Sequence, residues 1–548
     1  MWLPTPFIGF FSHHDGLMVT TVMQVRQALQ EHHPWPFNQY GPSWALFFGT
    51  ILSDVPGSYL LISMRLIVLA GYAVTAFFTY KTARLFGGQN FSLLSLILLT
   101  ANQPFVFDLL PWPSAFVMPI VSIFAFLIIS IVGSENSDKI NHNRKLFISG
   151  SLIPLIIMSR IQVGCLLFVV GIWAVFTFQK RRPILSFLSG FAVSSTIAAG
   201  FLAQKGWLTD VIRDQVVFGS SYLHSENNPL PKITLASVLL ILILMLLAKK
   251  FHIKNFGLKF QGFESSIFLL CALFFVTVLA ISTFTGASNL QTLITRKLWV
   301  SVPLACMAYM VLRSISRDKK NFARKGLVIQ DNRKMVLLLM SIATYSQIFP
   351  LFDQMHSWWG YAPSVILVSL VLQELTENFD KSHIQKMQSI TVSVVTILAT
   401  INLTVQFQNN IPLKTTNEFS LTFISKGQVS EMSKLQSFFS ESMPSKSRVL
   451  NLCENTDVFF NDQFISSASR VFLYWRAMEK SEYLIKEIKR SKPDYVILCR
   501  NLEISRSDFT ETGAPRVLSI LNGKFTRVNL LRSNFGYEWI VYKHGISS

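Results

Sequence analysis

The chain has 548 residues, of which 51% are apolar and only 14% charged, with a mean hydropathy of +0.41 and a formal net charge of +19. A water-soluble globular protein carries about a quarter charged residues, so this composition excludes a soluble enzyme, a secreted disulfide scaffold and a disordered regulator. It points instead to an α-helical polytopic membrane protein.

Residues 1–11, MWLPTPFIGFF, are apolar but too short to cross a bilayer, and they lack the basic n-region and small-residue cleavage site of a signal peptide. They lead straight into a polar loop, so a further span is expected ahead of them. In FSHHDGLMVTTVMQVRQALQ, Asp15 follows His13 and His14 and opens a helical pattern with Met18, Val22 and Val25 on one side. That pattern suits a helix lying along the membrane surface. Two roles fit Asp15. A carboxylate at a helix start caps backbone N–H groups, and three ionisable groups in succession also suit a general base or a divalent cation. The next stretch, HHPWPFNQYGPSWALFF, is forced into an extended, turning path by Pro34, Pro36, Gly41 and Pro42. Its Trp35, Tyr40 and Trp44 suit the headgroup level, either as an aromatic belt or as contacts to a lipid head or sugar.

Apolar runs then predict twelve spans near 58–80, 90–107, 115–133, 147–158, 162–178, 183–203, 233–248, 263–284, 292–312, 335–350, 358–376 and 387–405. The stretch 147–178 is broken at Ser159 and Arg160 and reads as a hairpin of shortened helices. Arg160, at the outer turn of that hairpin, suits an anionic group or a headgroup contact. Arg65, Arg296 and Lys297 hold similar positions. Near 351–357 the turn QIFPLFDQMHSWWGYAP carries Asp353 and His356, three residues apart, a spacing that lets a carboxylate orient an imidazole or lets both face a substrate. Trp358 and Trp359 beside them suit interfacial anchoring.

Charges return after about residue 409. Arg448 to Cys453, Asp494 to Cys499, Phe525 to Leu531 and Tyr537 to Lys543 read as strands and Glu479 to Ser491 as a helix, together a small α/β domain. Cys453 and Cys499 end predicted strands, where an oxidising compartment would permit a disulfide. Cys165, Cys271 and Cys306 read as buried apolar residues of spans. No GxGxxG, GxxxxGK[ST] or HExxH is present.

Sidedness follows from the loops. Lys81 and Arg84, Arg144 and Lys145, Lys180 to Arg182, Lys249 and Lys250, and the cluster from Arg313 to Lys334 fall on alternate loops that hold far more Lys and Arg than the other set. The positive-inside rule makes that set cytoplasmic. Cations spread over short loops suit anionic membrane lipids and argue against nucleic acid as a partner. The chain then divides into a first external loop with an interfacial helix (1–57), a transmembrane domain (58–408) and an extracytoplasmic α/β domain (409–548). Asp15, Tyr40, Arg160, Asp353 and His356 all fall on one face of the membrane.

With Asp15 in HHDG, NQYGP after it and the FPLFDQMH turn, the chain resembles the GT-C superfamily of integral-membrane glycosyltransferases, which includes protein mannosyltransferases, aminoarabinose transferases and oligosaccharyltransferase catalytic subunits. The likeness is architectural and covers nearly the whole length. It departs from the protein mannosyltransferases in having Gly16, not a second acid, after Asp15. The resemblance implies a polyprenyl-phosphate-linked sugar donor and transfer on the external face of a bacterial plasma (inner) membrane to a lipid, glycan or protein acceptor. It gives Asp15 the role of catalytic base and His14, Tyr40, Arg160, Asp353 and His356 substrate contacts, with a divalent cation as the candidate cofactor. The competing reading is a transporter or lipid flippase, against which stand the absence of paired, interrupted spans in matching halves and the scarcity of ionisable residues at mid-membrane depth. A non-catalytic membrane scaffold is the third.

Overall fold

The computed structural model describes residues 5–7, 12–31, 35–36, 41–102, 111–132, 139–178, 182–215, 299–317, 332–348, 358–375, 393, 421–422, 426–444, 447–451, 466–467, 489, 492–501, 519, 523–532 and 537–545. After a 3-10 turn at Thr5–Phe7 come helices α1 (Ser12–Glu31), α2 (Ser43–Ile51), α3 (Gly57–Ala83), α4 (Gln89–Asn102), α5 (Pro113–Val132), α6 (Lys139–Ile157), α7 (Ile161–Phe178) and α8 (Arg182–Gln204). A short helix at 208–215 follows, then α9 (Trp299–Arg317), α10 (Asn332–Tyr345), α11 (Tyr361–Leu375) and α12 (Lys426–Ser442).

Among the described residues, Gly57–Ala83, Pro113–Val132 and Pro183–Gln204 are long and apolar enough to cross a membrane, and Ile161–Thr177 is shorter but equally apolar in character. At 1.5 Å per residue the 27 residues of α3 reach about 40 Å, more than a hydrocarbon core of about 30 Å. Its lipid-compatible face shows in the exposed Leu66, Val74 and Phe77, while Leu61, Met64, Val68 and Tyr72 are buried. Predicted spans near 233–248, 263–284 and 387–405 lie outside the described residues, Ser393 excepted.

One expectation needs correcting. In the 147–178 hairpin α6 is not a shortened helix, since it begins at Lys139 and has 19 residues, while α7 is shorter than the spanning helices α3, α5 and α8. Hydropathy marked only the apolar half of α6, since KINHNRK continues the helix with polar side chains that suit a cytoplasmic end.

Small residues set the tightest helix contacts. A Cβ at Gly150 of α6 would collide with the Phe187 carbonyl of α8, and one at Gly190 of α8 with the Phe147 carbonyl of α6. This reciprocal approach of two backbones is how membrane helices gain packing energy where both lipid and protein are apolar. Polar ties add to it: Ser95 Oγ donates to Ser369 Oγ at 2.9 Å between α4 and α11, and Tyr345 Oη to the Val300 carbonyl at 2.8 Å.

Beyond residue 426, α12 buries Met432, Leu435, Phe438 and Phe439, spaced at helical period. The strands β1 (Arg448–Asn451), β2 (Ser466–Ser467), β3 (Tyr495–Asn501), β4 (Phe525–Arg532) and β5 (Tyr537–His544) form one sheet in the order β2-β1-β3-β5-β4. β1 runs parallel to β2 and β3, whereas β5 is antiparallel to β3 and β4, with an irregularity between Arg527 and Asn529. The four predicted strands are all present within a few residues. The predicted helix Glu479 to Ser491 lies outside the described residues except Lys489, as do Cys453 and the side chain of Cys499.

Candidate functional site

α1 forms as its apolar period predicts: Met18, Val22 and Val25 are buried on one side, packed on α2 where a Cβ in place of the hydrogen of Gly49 would press on Val25. Asp15 occupies its first turn and is fully buried. Its Oδ2 accepts from Arg65 Nη2 of α3 at 2.7 Å, with the two side chains 0% and 1% exposed. Arg65 Nη1 also donates to the Pro6 carbonyl at 3.1 Å, which holds the 3-10 turn against α3. Asp15 is therefore part of a buried ion pair. Desolvation alone disfavours a charged carboxylate, but a guanidinium in contact stabilises that charge.

Arg160 stands between two helices. Its amide donates to the Ile156 carbonyl at 2.6 Å, closing α6, and its carbonyl accepts from the Gly164 amide at 3.0 Å, opening α7. The turn is tight because Gly164 has no Cβ to strike Ile157. The guanidinium donates from Nε to Ser114 Oγ at 2.6 Å and lies 5.9 Å from the ring centroid of Trp359. Ser114 belongs to the first turn of α5, which starts with Pro113 where a missing N–H costs nothing, and Phe116 donates to the Trp112 carbonyl at 3.2 Å. The N-termini of α5 and α7 thus both meet at Arg160. Helix N-termini present partial positive charge and amides with no partner inside the helix, so together with the guanidinium they make this a place where an anion is stabilised.

Aromatic rings join the two polar centres. Trp358 packs edge-on against Tyr72 of α3, centroids 4.7 Å apart, and Trp359 stacks on Trp112 at 6.0 Å with 8° between planes. Tyr72 lies two turns, about 10 Å, along α3 from Arg65. The rings thus tie α3 to the residues beside Arg160, one helix segment away from the Asp15–Arg65 pair. Next to Arg160 the side chains of Leu155 and Ile161 are exposed and apolar.

Of the residues singled out in the sequence, Asp15 lies in the buried pair with Arg65 and Arg160 at the turn with Ser114 and Trp359. His14 falls in the first turn of α1 but its side chain is outside the described residues, as are Tyr40, Asp353 and His356 altogether. Four contributors had no sequence pattern of their own. Ser114 and Trp112 carry only the weak Trp-Pro-Ser helix-start signature, and Ser43 and Ser159 are small hydroxyls whose partners are over a hundred residues away. Among the described residues no three His, Cys, Asp or Glu side chains come together to hold a metal.

No family model and no curated protein matches the chain. Among solved structures, the Archaeoglobus fulgidus oligosaccharyltransferase, crystallised with Zn and sulfate, is similar over 98% of this chain and 70% of its own, at 12% identity and a TM-score of 0.51. ArnT from Cupriavidus metallidurans in the apo state aligns over 98% of this chain and 95% of its own, at 8% identity and a TM-score of 0.49. The fold assignment rests on the first of these: the chain shares the fold of that oligosaccharyltransferase.

Proposed function

We propose that this chain is a glycosyltransferase that moves a sugar from a polyprenyl-phosphate-linked donor to a lipid, glycan or protein acceptor on the external face of the plasma (inner) membrane. Fold alone does not license a reaction. The observation that carries the reading is the turn at Arg160, beside the exposed apolar Leu155 and Ile161, where a guanidinium and the N-termini of α5 and α7 converge. A carrier with an apolar tail and an anionic head needs both halves of that arrangement, apolar surface at Leu155 and Ile161 and cationic potential beside it.

In this reading the donor phosphate lies on Arg160 and the first-turn amides of α7. The acceptor hydroxyl attacks the anomeric carbon from the side opposite the phosphate. As the new C–O bond forms, the C–O bond to phosphate breaks and its electron pair stays on the phosphate, where the guanidinium stabilises the growing charge. Asp15 takes the hydroxyl proton, a role worth about 10² to 10⁴ in rate, and Arg65 fixes the carboxylate in place. Inversion at the anomeric carbon follows from this geometry. His14, Tyr40, Asp353 and His356 are assigned to substrate contacts, and the segment 409–548, with its sheet and α12, to an extracytoplasmic α/β domain that meets the acceptor.

The test is sugar transfer in membranes bearing the full chain, using a panel of radiolabelled polyprenyl-phosphate sugars. Wild type transfers label from at least one donor, and both Asp15→Asn and Arg160→Ala lose that transfer. Unchanged transfer in both variants, or label that crosses the membrane in proteoliposomes without being transferred, overturns the reading.

A further inference from the structure

The turn that presents Arg160 is not held by its own two helices alone. Ser43, the first residue of α2, donates its amide to the Met158 carbonyl at 3.2 Å and its Oγ to the Leu155 carbonyl at 2.9 Å, and its hydroxyl is hydrogen-bonded to that of Ser159. Carbonyls in the last turn of a helix have no intrahelical donor, and here the first external loop supplies them across the structure. Ser43 is 8% and Ser159 1% exposed, so water does not compete for these bonds.

Gly41, two residues earlier, makes the approach feasible. Its φ of +82° is left-handed, and a Cβ there would collide with the Met158 carbonyl and with Nε2 of Gln215. Gln215 ends the short helix 208–215, so the loop after α8 closes on the same point. That loop is itself tied to α1: Trp207 packs on Trp35 at 5.3 Å, and Lys205 Nζ donates to the Leu29 carbonyl at 3.5 Å.

We infer that Ser43 and Gly41 are positioning residues that lock the loop bearing Asp15 to the turn bearing Arg160, so that base and phosphate site are held in register. This rests on the reading of Arg160 as the donor-phosphate cation. α2 packs on α1, which carries Asp15, and Ser43 bonds to the carbonyls just ahead of Arg160. The route between the two ends contains only helix packing and buried hydrogen bonds.

The experiment measures donor KM and kcat for the full-length protein in membranes. Removing the Ser43 hydroxyl takes its donor from the Leu155 carbonyl and its partner from the buried Ser159 hydroxyl, which displaces the turn. Ser43→Ala is expected to raise donor KM about tenfold, and Ser43→Thr, which keeps the hydroxyl, to restore most of it. A residue with a merely structural role would lower the amount of active protein, and hence apparent kcat, and leave KM alone. Gly41→Ala, measured in the same way, is expected to raise donor KM as well and stands in where Ser43→Ala protein is not recovered. Unchanged donor KM in these variants alongside a raised KM in Arg160→Ala overturns the lock and leaves the phosphate site standing. Unchanged donor KM in Arg160→Ala overturns the phosphate site and the lock with it.

Discussion

Arg65, eight residues into α3, puts Nη2 2.7 Å from Oδ2 of Asp15, and neither side chain reaches solvent. A carboxylate serving only as a helix cap would face its own backbone amides. Here it faces a cation on another helix, and that cation also holds the Pro6 carbonyl. Breaking such a pair on one side leaves an uncompensated buried charge, which typically costs 3–5 kcal/mol, whereas removing both charges together is often close to neutral.

Arg65→Leu is accordingly expected to lower the thermal unfolding midpoint of the detergent-solubilised protein markedly. The double variant Asp15→Leu with Arg65→Leu should recover most of that loss while remaining inactive in sugar transfer. Recovery of stability without activity separates the packing role of the pair from its chemical role, and thermal unfolding followed beside the transfer assay reads both.

Asp15→Asn keeps the side-chain volume and one hydrogen-bond acceptor but cannot accept a proton. Its kcat is expected to fall about 10² to 10⁴-fold with donor KM changed little. Steady-state kinetics with labelled donor decides this, and a KM effect without a kcat effect would move Asp15 from base to binding group.

At the hairpin turn, Arg160→Lys retains charge but loses the planar fork that spans Ser114 and the Trp359 face. Donor affinity should fall, less than in Arg160→Ala. Trp359→Leu removes a cation–π contact worth about 0.5–2 kcal/mol, which corresponds to a loss in donor affinity of roughly 2- to 30-fold. Competition by unlabelled polyprenyl phosphate measures all three.

Sidedness is open to direct chemistry. In a cysteine-free background, Gln30→Cys at the exposed end of α1 should react with a membrane-impermeant maleimide in intact cells. Gln89→Cys, exposed at the start of α4, should react only after permeabilisation. The opposite pattern would put Asp15 in the cytosol, away from any externally presented donor.

How much of this was legible in the sequence depended on what kind of signal each residue carries. Runs such as PSAFVMPIVSIFAFLIISIV announce α5 without help, because hydrophobicity summed over 20 residues dominates every local preference. The opening turns of α6 were lost because KINHNRK has helical propensity but no apolar period. Asp15 and Arg160 stood out as charges in apolar surroundings. Arg65 has the same character, yet its importance comes from a partner fifty residues away that only packing reveals. Ser43, Ser114 and Ser159 are silent in sequence, since a hydroxyl acquires meaning from the carbonyl or guanidinium placed opposite it. Strands were easier: β3 and β5 combine β-branched and aromatic residues, and their antiparallel pairing from Tyr495–Lys543 to Asn501–Tyr537 is the arrangement such segments favour.

The glycines at 150 and 190 have a mechanical corollary. Two helices whose main chains approach this closely, with the Ser151 hydroxyl bonded across to the Gly190 carbonyl, behave as one plank. One end of that plank carries the Arg160 turn and the other chain leaves it toward Trp207 and the loop resting on α1. Relative motion in the bundle is therefore expected where other helices border this unit, and a cross-link between α6 and α8 should leave turnover untouched while one across another seam should slow it.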